Sequence, residues 1–174
     1  MNDSAAPNRL PVVVMGVSGC GKTTLGEALA AALKLPFIEG DSLHDAHSVA
    51  KMRSGQPLED ADRAGWLTRV AQHLQDTQRY PRGLVLTCSA LRRVYRDRLR
   101  DGTRGLRFVF LRIDAAAATR RLQHRPHHFM PASLVPSQFA TLEPPGAEET
   151  DVVTLNAGQA PATELTCALE ALRT

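Results

Sequence analysis

The stretch Gly16-Val17-Ser18-Gly19-Cys20-Gly21-Lys22-Thr23 decides how this chain folds. It follows the apolar run 10–15 and precedes the helix-forming run 25–30, so its context is strand, glycine loop and helix. The spacing G-x-x-x-x-G-K-T is typical of a phosphate-binding loop, in which glycines let backbone N–H groups turn inward around phosphate oxygens. The alternative is a glycine-rich turn before an ordinary helix. The strand before the loop and the helix after it favour nucleotide binding.

The residue types of this loop assign candidate roles. Lys22 can reach the β- and γ-phosphates of ATP, and the hydroxyl of Thr23 can ligate Mg²⁺. The N-terminus of the following helix carries unpaired N–H groups and a partial positive charge, which favours a phosphate there. The predicted nucleotide-binding residues are Gly16, Val17, Ser18, Gly19, Cys20, Gly21, Lys22, Thr23 and Thr24.

Composition narrows the class of protein. The 174 residues, 43% of them hydrophobic, fit one globular domain. No run of about 20 apolar residues and no signal-peptide core are present, so we expect no membrane association. The cysteines Cys20, Cys88 and Cys167 are widely spaced and odd in number, which favours a reducing cytoplasm. Acidic residues interleave with the arginines, so the net charge of +3 does not indicate nucleic acid as a partner.

Predicted strands alternate with predicted helices along the chain. The strands are expected at residues 11–15, 37–39, 83–88, 106–113 and 152–155. The helices are expected from the glycine loop to residue 33 and at residues 44–53, 60–77, 89–99, 115–123, 137–142 and 162–172. This order predicts a three-layer α/β fold with a mostly parallel five-stranded sheet and helices on both faces. Residues 1–9 are expected to form a loose tail, and the basic, proline-bounded segment 124–136 a mobile lid.

Candidate catalytic residues follow the strands, because ligands of parallel sheets bind at the carboxyl ends of the strands. Asp41 follows the second strand and can accept a proton from a substrate hydroxyl or order the waters around Mg²⁺. The alternative role of Asp41 is that of a helix N-cap, and the residues alone favour neither role. The third strand ends at Cys88 without the acidic residue that commonly supports Mg²⁺ there, so support of the ion is expected from Thr23, Asp41 and water.

Arginine and histidine side chains supply further candidates. Arg93 and Arg96 can hold an anionic substrate, and the alternative is a solvated helix face. Arg121 and Arg125 are four residues apart, so they share a helix face and can point at a transferring phosphoryl group. A solvated helix face is again the alternative. His128, in the predicted lid, is interpreted as a substrate or lid residue rather than a metal ligand.

Several segments together resemble the small P-loop gluconokinases, which are relatives of shikimate and adenylate kinases. The resemblance covers about residues 12–153, and its most specific parts are Cys88-Ser89-Ala90-Leu91 and His128-Phe129-Met130-Pro131. The other matching segments are the glycine loop, Glu39-Gly40-Asp41 with His44, Lys51-Met52, Gly55-Gln56-Pro57-Leu58-Glu59-Asp60-Ala61-Asp62-Arg63 with Trp66-Leu67, Arg92-Arg93 with Tyr95-Arg96-Asp97, Ser137-Gln138-Phe139 and Thr141-Leu142-Glu143. The chain departs from the family pattern at Asp45, Ser48 and Gly65, on the sugar-acid side.

The resemblance implies a P-loop kinase fold and transfer of the γ-phosphoryl group of ATP to the 6-hydroxyl of D-gluconate. It also implies Mg²⁺, a moving lid and a homodimer. By position, Asp41 is implied as the carboxylate on the hydroxyl side, and Arg121 and Arg125 as lid arginines. Candidates for binding the polyol and its carboxylate are His44, Lys51, Arg63 and Arg93.

Two other functions stay open at this point. Another small-molecule kinase, acting on shikimate or a related sugar acid, would use the same loop. A nucleotide-binding regulator or RNA-binding protein would use the basic pI of about 9.0 for phosphate contacts. Asp41 together with an arginine-bearing lid favours a kinase, since a pure binding module needs neither.

Overall fold

Five parallel strands form the central sheet of the computed structural model, which describes residues 9–124 and 130–173. The strands are β1 (Val12–Met15), β2 (Phe37–Ile38), β3 (Val85–Thr87), β4 (Arg107–Arg112) and β5 (Val152–Asn156). They lie in the order β2-β3-β1-β4-β5, and every neighbouring pair is parallel. The glycine loop therefore leaves the middle strand at the carboxyl edge of the sheet, where α/β proteins bind their ligands.

Helices cover both faces of this sheet. They are α1 (Lys22–Leu33), α2 (Ala46–Arg53), α3 (Asp60–Gln75), α4 (Arg93–Arg100), α5 (Ala115–Gln123), α6 (Val135–Thr141) and α7 (Pro161–Leu172). Short 3₁₀ helices occupy Gly40–Leu43 and Ala132–Leu134. The predicted three-layer α/β fold with a five-stranded sheet is confirmed.

The side chains of β1 divide the hydrophobic core into two halves. Val12 and Val14 pack with residues of α1, α5 and α7, whereas Val13 and Met15 pack with residues of α3 and α4. All four side chains are at most 1% exposed. A strand buried on both faces explains why this part of the sequence is continuously apolar rather than alternating.

Two predicted helices begin later than the sequence indicated. Helix α4 begins at Arg93 rather than Ser89, because Ala90 has a φ of 43°, which no residue of a right-handed helix adopts. Helix α2 begins at Ala46 rather than His44, because the Asp45 carboxylate caps it by accepting the Ser48 N–H at 2.7 Å. The segment before α2 forms a 3₁₀ turn that the sequence did not predict.

One residue of the predicted loose tail is anchored to the fold. Arg9, assigned to the loose tail, is anchored by its guanidinium, which donates to the carbonyl oxygens of Leu74 (2.5 Å) and Tyr80 (3.2 Å). Residues 1–8 and the middle of the predicted lid, 125–129, lie outside the described residues. Among the residues that the structure does describe, no helix is long and apolar enough to cross a bilayer.

Gly40 joins β2 to the 3₁₀ turn where two backbones meet. Its N–H donates to the Thr87 hydroxyl at 3.0 Å, and its carbonyl accepts the Trp66 indole N–H at 2.8 Å. An ideal Cβ at this position would lie 1.8 Å from the Thr87 carbonyl oxygen. Only glycine therefore lets the turn that carries Asp41 lie against the end of β3.

We predict opposite effects of alanine at two glycines. Gly40→Ala forces the turn away from β3 and should lower the free energy of unfolding by about 1–3 kcal/mol. Gly65→Ala, in the exposed interior of α3, meets only the Arg69 guanidinium at an ordinary 3.5 Å and should raise it by roughly 0.5–1 kcal/mol. Urea unfolding of both variants checks this. Equal stability of the two would contradict the packing assigned to Gly40.

Candidate active site

The glycine loop has the backbone that phosphate binding requires. Gly16, Gly19 and Gly21 have φ values of 145°, 82° and 103°, in the region that favours glycine. A Cβ at Gly16 would lie 2.8 Å from the Leu111 carbonyl oxygen. The Lys22 side chain is buried at the start of α1, and its ammonium group donates to the Val17 carbonyl at 3.1 Å. The loop thus presents a positive charge together with the N-terminus of a helix.

A carboxylate that the sequence analysis did not select lies beside this loop. Glu39 accepts the hydroxyl proton of Thr23 at 2.6 Å and also that of Thr87. The sequence analysis assigned Glu39 to the second strand, but β2 ends at Ile38, so Glu39 stands at the same sheet edge as Asp41. No acidic residue ends β3, but Glu39, which directly follows β2, accepts a hydrogen bond from the β3 residue Thr87. Glu39 would have been a candidate, like Asp41, if the second strand had been predicted to end at Ile38.

A small polar cavity, here called the acceptor cavity, opens on the other side of Lys22. Its volume is about 30 Å³. It is lined by Ser18, Lys22, Asp41, His44, Met52, Pro57, Leu58, Arg63, Ser89, Met130, Leu134, Ser137 and Gln138. Asp41 therefore lines the same space as Lys22. Asp41 lies within the 3₁₀ turn, and the residue that caps α2 is Asp45. The predicted candidates His44 and Arg63 line this cavity as well.

His44 is held as a neutral ring at the cavity wall. It stacks on Trp66, with ring centroids 4.4 Å apart and planes inclined by 12°. Burial lowers the pKa of His44 to about 4, and the charge of Arg63 acts in the same direction. The imidazole is therefore uncharged near neutral pH, and within residues 9–124 and 130–173 no group hydrogen-bonds its Nδ1. A neutral imidazole of this kind is suited to a hydroxyl group.

A second cavity, here called the outer cavity, lies on the opposite side of the glycine loop. Its volume is about 400 Å³, and it is lined by Gly19, Gly21, Thr24, Arg121, His124, Gln159, Pro161 and Glu164. Arg121 reaches the loop from α5, where its guanidinium donates to the Cys20 carbonyl at 3.1 Å. Residues of the glycine loop thus line both the small acceptor cavity and the larger outer cavity.

Arg96 does not contact this site, and its predicted role in substrate binding is wrong. The side chain is 1% exposed and pairs with Glu149 through two hydrogen bonds of 2.6 and 2.8 Å. These hydrogen bonds, above all, lower the pKa of Glu149 to about 2. Arg96 also donates to the carbonyls of Ala90 and Glu143, so it ties the turn after β3 to the segment before β5.

Two other predicted substrate residues lie outside the acceptor cavity. Lys51 pairs with Asp62 at 2.7 Å and lines a separate surface pocket on α2. Arg93 is exposed and pairs with Glu148 and Asp97. Arg125 and His128 lie outside the described residues, so their predicted roles stay predictions.

Comparison with known proteins finds one group of relatives for this chain. A family model described as an AAA domain matches residues 12–145. The chain is 51% identical to a gluconokinase of Gluconobacter oxydans over 79% of this chain and 78% of that protein. It is 42% identical to a thermosensitive gluconokinase of Escherichia coli over 83% and 77% of the two chains. A crystal structure of a gluconokinase from Sinorhizobium meliloti superimposes with a TM-score of 0.85 and 43% identity, covering 97% of this chain and 93% of that one.

Proposed function

The chain belongs to the gluconokinase family, and we propose that it transfers the γ-phosphoryl group of ATP to the 6-hydroxyl of D-gluconate. The observation that carries this proposal is the acceptor cavity, in which Asp41 faces the buried Lys22 and a neutral His44. In the reaction the bond from the γ-phosphorus to the bridging oxygen of ADP breaks. A bond from the 6-oxygen to that phosphorus forms, and the hydroxyl proton leaves. The products are ADP and 6-phospho-D-gluconate.

The nucleotide is proposed to lie across the glycine loop, with its base and ribose in the outer cavity. The loop N–H groups, the N-terminus of α1 and Lys22 would bind the phosphates. Thr24 and Arg121 border the outer cavity, which suits their predicted roles beside the nucleotide. Arg121 already lies against the loop carbonyls, so a modest side-chain movement would direct its charge at the phosphates.

Thr23 and Glu39 are the residues that would hold Mg²⁺. A hydroxyl and a carboxylate are the hard oxygen donors that this ion prefers, and here they lie 2.6 Å apart. The ion, when bound, offsets charge on the phosphate oxygens. Glu39 is fixed for this purpose by the hydroxyl of Thr87 on the neighbouring strand.

Asp41 is proposed to receive or orient the proton of the 6-hydroxyl. It shares the acceptor cavity with Lys22, so a hydroxyl bound to Asp41 would stand beside the phosphoryl group that Lys22 contacts. Arg63, which also lines the cavity, can bind the gluconate carboxylate, and His44 a hydroxyl of the polyol. The homodimer implied by the resemblance and the cytoplasmic location favoured by the cysteines stay predictions.

The proposed reaction is tested by measuring ADP formation with a panel of acceptors at equal concentration. We expect turnover with D-gluconate to exceed that with shikimate, with other sugar acids and with nucleoside monophosphates. The position of the phosphate in the product is read by ³¹P NMR and should be carbon 6. Faster turnover with shikimate would contradict the substrate, and ATP hydrolysis indifferent to every acceptor would contradict a kinase.

Substitutions of the two carboxylates that follow β2 should have different effects on the kinetics. Asp41→Asn keeps the shape but loses the basicity, so kcat should fall roughly 10²–10⁴-fold while the affinity for ATP changes little. Glu39→Gln should raise the Mg²⁺ concentration for half-maximal rate by about 10- to 100-fold and leave the KM for gluconate unchanged. Steady-state kinetics with titrated Mg²⁺, beside direct nucleotide binding, measure both. Each variant is the control for the other, and an identical effect of the two changes would contradict the separate roles.

A further inference from the structure

One side chain of the acceptor cavity has no role in the reaction as described so far. Gln138, on α6, is 7% exposed and lines the same cavity as Asp41 and His44. The volume of about 30 Å³ is room for about two water molecules, so a six-carbon sugar acid would displace neighbouring side chains or extend out of the cavity. Gln138 is a polar side chain of this cavity, and the neighbouring Met130 is a flexible one.

The orientation of the Gln138 amide is fixed by the glycine loop. Its Oε1 accepts the backbone N–H of Ser18 at 2.7 Å. Because a backbone N–H can only donate, the oxygen must face Ser18, and the amide NH₂ must face away from it. That NH₂ group lies 2.9 Å from the sulfur of Met130 and 3.4 Å from the Ser18 hydroxyl oxygen.

The nearer of the two acceptors of this NH₂ group is a poor one. The Met130 sulfur receives both the Gln138 amide and the Ser18 hydroxyl, the latter at 2.6 Å. A thioether is a weak acceptor, so two buried donors are left with less hydrogen-bond energy than an oxygen would give them. Methionine has three rotatable bonds and can change rotamer at little cost, so the sulfur is easily displaced.

We propose that Gln138 recognises the acceptor substrate by donating from its Nε2 to one hydroxyl oxygen of gluconate, which takes the place of the Met130 sulfur. This inference rests on the proposed function, since it assumes a polyol in the acceptor cavity. A hydroxyl suits the position because it can accept from Gln138 and at the same time donate to an acceptor. Asp41 and the Nδ1 of His44, which belong to the lining of the same cavity, can supply such acceptors.

Two variants separate recognition from support of the glycine loop. Gln138→Glu keeps an oxygen for the Ser18 N–H but loses the Nε2 donor, whereas Gln138→Met loses both. If Gln138 recognises the substrate, both variants should raise the KM for gluconate by roughly 10- to 100-fold. Gln138→Glu should leave the KM for ATP nearly unchanged, whereas Gln138→Met, which also loses the Ser18 contact, should raise it. Thr141→Ala is the matched control on α6, because its hydroxyl donates only to the Ser137 carbonyl of the same helix at 2.9 Å. It should leave both constants unchanged.

Gluconate analogues that each lack one hydroxyl provide the decisive readout. The wild-type enzyme should discriminate against the analogue that lacks the hydroxyl bound by Gln138, and both Gln138 variants should lose that discrimination while keeping it for the other analogues. A role in packing alone would lower the melting temperature, or raise the KM for ATP, and leave the discrimination intact; this result would overturn the proposal. A wild-type enzyme that does not phosphorylate gluconate would instead overturn the proposed function.

Discussion

The buried ammonium group of Lys22 is the interaction on which the rest of the site depends. A positive charge with 9% of its residue exposed is costly unless anions or carbonyl oxygens surround it. In this protein the Val17 carbonyl supplies one such oxygen, and the glycine loop that carries it can curl this tightly only because of its three positive-φ glycines. The loop in turn starts from a strand buried on both faces, so the sheet fixes the lysine in space.

In the proposed mechanism two carboxylates that are two residues apart act on different groups beside this lysine. Glu39 is hydrogen-bonded to the hydroxyls of Thr23 and Thr87, the position proposed to hold the metal ion. Asp41 enters the acceptor cavity because the 3₁₀ turn begins between the two residues. Gly40 permits that turn by its contact with β3, and the Trp66 indole holds it from α3. Close backbone packing thus assigns different tasks to chemically similar side chains.

The sequence was sufficient to predict the sheet, because apolar runs and the spacing of the glycine loop are local signals. Helix α5 was predicted over residues 115–123, and the structure has it there. The start of α4 was predicted too early, because an alanine in the sequence gives no sign of the left-handed φ that Ala90 adopts. Arg96 was misjudged for a related reason. Its partner Glu149 is 53 residues away, so only the fold shows that the charge is neutralised internally.

The most direct test of the account is a crystal structure with Mg²⁺, a non-hydrolysable ATP analogue and D-gluconate bound together. We expect the 6-hydroxyl oxygen at about 2.6–3.2 Å from an Asp41 carboxylate oxygen, with the γ-phosphate between that hydroxyl and the glycine loop. We also expect Glu39 and Thr23 on the metal side of the phosphates. Gluconate bound with its 6-hydroxyl against Glu39, or the nucleotide base in the acceptor cavity, would contradict this expectation.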